Sequence, residues 1–98
     1  MILEVATIEV LAENKDAFES AIKRGVSEVL SKADGFVDYR LNKGIERIDT
    51  YALHIRWETL EAHTVGFRQS DLFPQWRGII GGFFAKPPVV EHWLLDGD

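Results

Sequence analysis

From Ile2 to Ala12 the chain reads as one β-strand with apolar side chains in both parities: Ile2, Ala6, Ile8 and Val10 on one, Leu3, Val5 and Leu11 on the other. Successive side chains of a strand point to opposite faces, so a β-branched run of this kind needs cover from both sides. That requirement narrows the fold. Helices can cover one face of the sheet this strand belongs to, and a second apolar surface must cover the other.

The rest of the pattern supplies the helices and the remaining strands. Asn14 is placed as an N-cap with Asp16 in the first turn, and Phe18, Ile22, Val26, Val29 and Ala33 follow at helical spacing. These predict a helix from about Asn14 to Lys32, ended by Asp34-Gly35. Phe36 to Lys43 alternates Val37, Tyr39 and Leu41 against Asp38, Arg40 and Asn42, a half-buried strand. In Thr50 to Trp57 the residues Tyr51, Leu53, Ile55 and Trp57 form an apolar face, opposite Ala52, His54 and Arg56.

Thr59 then caps a short helix whose inner stripe is Leu60, His63, Thr64 and Phe67. Asp71 caps a second, with Pro74 in its first turn, a stripe of Phe73, Trp76, Ile80 and Phe83, and Arg77 and Phe84 on its flank. Gly81-Gly82 weakens the end of that helix, Pro87-Pro88 forbids its continuation, and Val89 to Leu95 reads as a closing strand. The order strand, helix, strand, strand, helix pair, strand is that of a ferredoxin-like α+β fold, with one four-stranded antiparallel sheet and all helices on one face. The other face is expected to pack against a second copy, giving a homodimer through the sheet.

A length of 98 residues suits one domain, residues 1–98. The composition, 46% hydrophobic and 28% charged, is that of a compact globular chain, with disorder expected only in the tail Asp96-Gly97-Asp98. A net charge of −5 with scattered Lys and Arg argues against nucleic acid. The absence of cysteine excludes disulfides and thiolate chemistry. No basic leader with an apolar run begins the chain, and no stretch approaches the roughly 20 apolar residues that span a bilayer. A cytoplasmic protein without a membrane partner is expected.

Eight of the eleven aromatic residues and all three histidines fall between Tyr51 and Trp93. Rings with a few titratable groups among them suit an apolar small-molecule pocket, and equally a plain core. Among the histidines, His63 lies on the stripe that faces the sheet, where a neutral imidazole could accept a proton or could simply bond a neighbour. His54 shares its parity with Arg56 and points to the opposite sheet face, while the facing of His92 depends on an unknown register. No two histidines have the spacing of a preformed metal site, and no phosphate-cradling glycine loop follows a strand. Neither metal nor nucleotide nor flavin is therefore expected as a cofactor.

The run Trp57-Glu58-Thr59-Leu60-Glu61-Ala62-His63, then Phe67-Arg68-Gln69-Ser70, Phe73 and Trp76-Arg77, closed by Val90-Glu91-His92-Trp93, resembles the antibiotic biosynthesis monooxygenase (ABM) family. The resemblance implies a dimeric α+β barrel with a pocket between each sheet and its own helices. Members of that family include cofactor-independent oxygenases of polyketide phenols and quinols, haem-degrading enzymes and isomerases. The polyketide oxygenases use an Asn, a Trp, a Tyr and an Arg, whose positions here hold Leu53, Trp57, His63 and Arg77. The Asn, Trp and His of the haem-degrading members are all missing, Phe67 and Arg77 standing at two of the places.

The resemblance thus implies an oxygenase of a small aromatic phenol or quinol, with His63 as proton acceptor, Arg77 as oxyanion partner and Trp57 beside them. Phe67, Phe73, Trp76 and Phe83 are expected to hold the ring. Two rival readings are a non-catalytic dimeric module that binds an apolar molecule or fills its pocket with its own side chains, and an isomerase using the same base.

Overall fold

The computed structural model describes residues 1–96, so the expected disorder of the tail lies, except for Asp96, outside the described residues. Four strands form one sheet in the order β2-β3-β1-β4, namely β1 (Ile2–Glu9), β2 (Phe36–Lys43), β3 (Thr50–Trp57) and β4 (Val89–Leu94). Every neighbouring pair is antiparallel. With α1 (Lys15–Glu28) after β1 and α2 (Leu72–Ile80) before β4, the fold is the ferredoxin-like α+β arrangement that the pattern predicts.

The parities carry the layers. Ala6, Ile8 and Val10 from β1 and its exit, and Tyr51, Leu53, Ile55 and Trp57 from β3, are buried in one core. Phe18, Ala21, Ile22, Gly25 and Val26 form the buried stripe of α1. Gly25 is required by a close approach, because a Cβ there would lie 2.9 Å from Cζ3 of Trp76 on α2. Tyr51 donates its hydroxyl to Glu19 Oε2 at 2.7 Å, fastening β3 to α1.

Several boundaries differ from the expected ones. β1 ends at Glu9, where the chain turns into a 3₁₀ turn at Ala12–Asn14, so Leu11 is exposed and covers neither sheet face. Asn14 occupies the cap position of α1 without a side-chain cap bond. The helix ends at Glu28 rather than near Lys32, and a 3₁₀ turn at Leu30–Lys32 brings Leu30 into the core. Gly35 has φ +85°, and a Cβ on it would meet the Cβ of Ala62 at 2.6 Å, so glycine is needed there for conformation and for space. In β2 a register shift between Phe36 and Asp38 interrupts the alternation at Val37. β4 stops at Leu94, one residue short.

The outer sheet face is mixed. Leu3 pairs across from Trp93, and Trp93 and Val89 are 56% and 57% exposed on this side. Arg56 holds Asp38 through two hydrogen bonds, which keep that carboxyl below its usual range. His54 lines a shallow depression with Leu3, Arg40 and Arg56 on this same face.

Candidate functional site

Between the helix-facing side of the sheet and the helical pair lies a cleft of about 720 Å³. Ala6, Ile8, Leu53, Ile55 and Val90 form its floor, and Phe67, Phe73, Trp76, Ile80 and Phe84 its walls. Arg68, Arg77 and Lys86 lie around its margin, while Glu4 and His63 supply acid–base groups. The volume falls within the range of ordinary small-molecule sites.

A wide helical turn shapes the wall. Thr59 Oγ1 accepts the N–H of Ala62 at 3.1 Å, as its cap role predicts. The turn then widens into a π-helix over Ala62–Phe67, closed by the N–H of Arg68 donating to the carbonyl of His63, five residues back, at 3.2 Å. This geometry buries His63 and Phe67 but leaves Leu60 exposed and Thr64 half-buried, so the inner stripe is narrower than a regular α-helix would make it. At the next helix Asp71 makes no cap bond. Ser70 does this instead, its Oγ accepting the N–H of Leu72 at 3.2 Å.

The polar centre is a chain of four side chains. Trp57 Nε1–H donates to Glu4 Oε1 at 2.9 Å. His63 Nε2 lies 3.3 Å from the same oxygen, and His63 Nδ1 shares a hydrogen bond with His92 Nε2 at 2.8 Å. Glu4 and His92 are direct cross-strand partners of β1 and β4, which settles the facing of His92: inward. The Trp57 ring stacks on the His63 ring, with centroids 5.1 Å apart and planes 19° apart.

Burial dominates the electrostatics. It raises the Glu4 carboxyl to about 6 against the lowering effects of the Trp57 hydrogen bond and the Arg68 charge. It pushes His63 down to about 3, helped by Arg68 and then His92. His92, half-buried, is lowered by burial and by Arg68. Near pH 7 Glu4 is mainly ionised and His63 is neutral.

The residues singled out in the sequence are only partly brought together. His63, Phe67, Phe73, Trp76 and Arg77 all line the cleft. Arg77 is exposed and stands over the Phe73 ring, 5.9 Å from its centroid. Trp57 is fully buried behind His63, does not line the cleft, and acts on it through its hydrogen bond to Glu4 and its stacking on His63. Phe83 does not line the cleft. The 3₁₀ turn at Gly81–Phe83 directs it toward Phe18, at a ring separation of 5.9 Å, and Phe84 takes its place on the wall. Glu4 and Arg68 were missed, and His92, left open for want of a register, joins the site. Glu4 carried a signal, since its parity is that of Ala6 and Ile8, where an acid is out of place.

Among the solved structures, a Bordetella bronchiseptica protein assigned to the antibiotic biosynthesis monooxygenases superposes with a TM-score of 0.89 at 35% identity, covering 96% of this chain and 95% of its own. A Streptomyces coelicolor monooxygenase from the gene ActVA-Orf6, in complex with Nanaomycin D, shares the fold at a TM-score of 0.82 and 17% identity, over 99% of this chain and 88% of its own. The uncharacterized protein YczJ of Bacillus subtilis is 32% identical over 93 residues, 95% of this chain and 97% of that protein. The family profile described as antibiotic biosynthesis monooxygenase matches residues 1–78. With most of its length matched by that profile and its fold shared with those proteins, this chain belongs to the antibiotic biosynthesis monooxygenase family.

Proposed function

We propose that this chain is a monooxygenase that oxygenates an electron-rich aromatic phenol or quinol, drawing the electrons from the substrate itself rather than from a bound cofactor. The observation that carries this reading is one cleft combining ring-lined walls with a buried acid–base pair, Glu4 and His63, and with Arg77 at its margin. The walls hold a flat ring and exclude water. Loss of the phenolic proton to the protein gives an anion that Arg77 and Arg68 stabilise. The anion passes one electron to dioxygen, and the radical pair joins at a ring carbon to give a peroxide, which takes back the proton. Loss of the ring C–H proton with hydroxide then leaves a quinone carbonyl and water. The Streptomyces coelicolor protein of the same fold holds Nanaomycin D, which supports a small organic ligand here.

The test is oxygen uptake with a dihydroxynaphthalene bearing a free ring position, with labelled dioxygen traced into the quinone product. Uptake with one labelled oxygen atom per product is expected; a probe that binds and raises the melting temperature without uptake would refute the reading. That outcome is what a non-catalytic binding module gives, and Leu53 on the cleft floor, where related oxygenases have an Asn, is the feature favouring it. Residues 1–98 act as one domain in this reading, in a cytoplasmic homodimer packed through the outer sheet face. Exposed Trp93 and Val89 beside Leu3 and Val5 support that packing. Sedimentation showing only an 11.1 kDa monomer at micromolar concentration would refute it.

A further inference from the structure

We propose that Glu4, rather than His63, takes the proton from the substrate, and that His63 and His92 form a two-imidazole relay through which Glu4 exchanges protons with solvent at the edge strand β4. The identity of the substrate rests on the oxygenase reading; the relay itself does not.

The geometry argues first by elimination. Both ring nitrogens of His63 are engaged, Nδ1 with His92 Nε2 at 2.8 Å and Nε2 facing Glu4 Oε1 at 3.3 Å. No lone pair of His63 is left for a molecule in the cleft. Glu4 differs: it lines the cleft, and its contacts with Trp57 and His63 both fall on Oε1. Oε2 keeps its lone pairs for a ligand. The 3.3 Å contact to His63 needs only slight tightening, as acid–base contacts do when a site fills.

The relay follows from how neutral imidazoles share protons. With Glu4 ionised, His63 carries its proton on Nε2, toward the carboxylate, and His92 donates from Nε2 to His63 Nδ1. From that state one concerted shift brings a proton in to Glu4, and its reverse lets it out. Water gives a proton to His92 Nδ1, His92 gives the one on Nε2 to His63 Nδ1, and His63 gives the one on Nε2 to Glu4 Oε1. Each imidazole ends neutral, with its proton on the other nitrogen, and Glu4 is a carboxylic acid; the reverse shift makes it a carboxylate again. No imidazolium forms, which suits a ring that burial and the Arg68 charge hold in its neutral form. The charged and titratable groups facing Glu4 are His63 and Arg68 from the π-helical turn and its exit and His92 from β4, with Trp57 donating from β3. His92 is half-buried on an edge strand, the place for exchange with water.

The experiment is imidazole nitrogen NMR on the wild-type protein across the titration of Glu4, with turnover of dihydroxynaphthalene measured in parallel. As Glu4 protonates, the His63 and His92 protons are expected to change nitrogen together, without His63 becoming an imidazolium, and Glu4→Gln is expected to abolish the change. Tautomers that stay fixed through the wild-type titration, or an imidazolium at His63, would overturn the relay with no variant needed. In turnover, Glu4→Gln is expected to lower kcat by about 100-fold or more. His92→Ala should lower kcat at unchanged KM and recover with added imidazole, a rescue that a merely structural residue would not show. Full turnover by Glu4→Gln would overturn the proposal. If the wild type consumes no oxygen, the oxygenase reading fails, and the NMR titration still decides the relay.

Discussion

Replacing Glu4 with Gln should make the protein more stable at neutral pH, and the gain should vanish in acid. Glu4 is only 6% exposed, and burial raises its carboxyl from 4.5 to about 6. An acid whose folded pKa is raised binds its proton more tightly in the native state than in the unfolded chain, so its ionisation opposes folding. Its contribution to stability is fully present below 4.5 and is lost as the pH rises to about 6. The gap between those two values corresponds to ~2 kcal/mol, a sizeable part of a small domain's stability. Gln keeps the volume and an acceptor for Trp57 Nε1–H, so any loss beside His63 is common to both pH values. His63 acts in the other direction: held near 3 instead of 6.5, it draws stability away as the pH falls below 6.5. Both chains carry His63, and the comparison cancels it. Urea denaturation of the two chains at about pH 4 and about pH 7.5 should show the difference between their midpoints changing by roughly 1 M. A difference that stays the same at both pH values would refute the reasoning, because Glu4 would then ionise as freely in the fold as in the unfolded chain.

Three further outcomes follow from the same geometry. Trp57→Phe removes the donor to Glu4 and leaves a buried carboxylate with less support, so it should cost about 2 kcal/mol or more near pH 7.5 and measurably less near pH 4, read by the same denaturation series. Gly25→Ala should destabilise by about 1 kcal/mol or more despite alanine's better helix propensity, because the new Cβ overpacks the buried Trp76 ring; an unchanged or raised melting temperature would show that α1 and α2 can separate freely. Tyr51→Phe should cost about 1 kcal/mol at neutral pH and less in acid, because Glu19, whose carboxyl is held low chiefly by the Tyr51 hydroxyl, contributes its stability above the unfolded pKa and loses it as the pH falls; a loss independent of pH would assign the effect to packing alone.

The fold was legible because periodicity and burial coincide over most of the chain. β3 has the predicted bounds and facing, and Phe18, Ile22 and Val26 of α1 lie on the expected stripe. What the periodicity did not reveal is where a helix changes its pitch. The π-helix at Ala62–Phe67 left Leu60 outside, and the 3₁₀ turn at Gly81–Phe83 exchanged Phe83 for Phe84. Such changes come from tertiary contacts, such as Ala62 against Gly35, that no local window contains. In the site, His63 was found because it lies among apolar residues at helical spacing. Its partner His92 needed the register of β4 on β1, which sequence alone does not specify. Glu4 was lost because acids are so often at the surface that one polar position within an apolar parity reads as noise.

That lost residue also bears on what kind of protein this is. A pocket that only holds a flat apolar molecule gains nothing from a carboxylate buried at its end. Such a group weakens the native fold by ~2 kcal/mol at neutral pH and offers an apolar ligand an unfavourable neighbour. An apolar residue at position 4, packed against Trp57 and Ile55, would serve a binder better and stabilise the sheet. Proton transfer has the opposite requirement: an acceptor shielded from water, with a pKa near the working pH and a route by which the proton leaves. Glu4, raised to about 6 by burial and in contact with a pair of imidazoles, meets the first two conditions, and His92 on the edge strand supplies the third. The placement of this one charge therefore weighs toward turnover over simple binding. An apolar substitution at Glu4 that strengthened ligand binding while stopping oxygen uptake would separate the two roles directly.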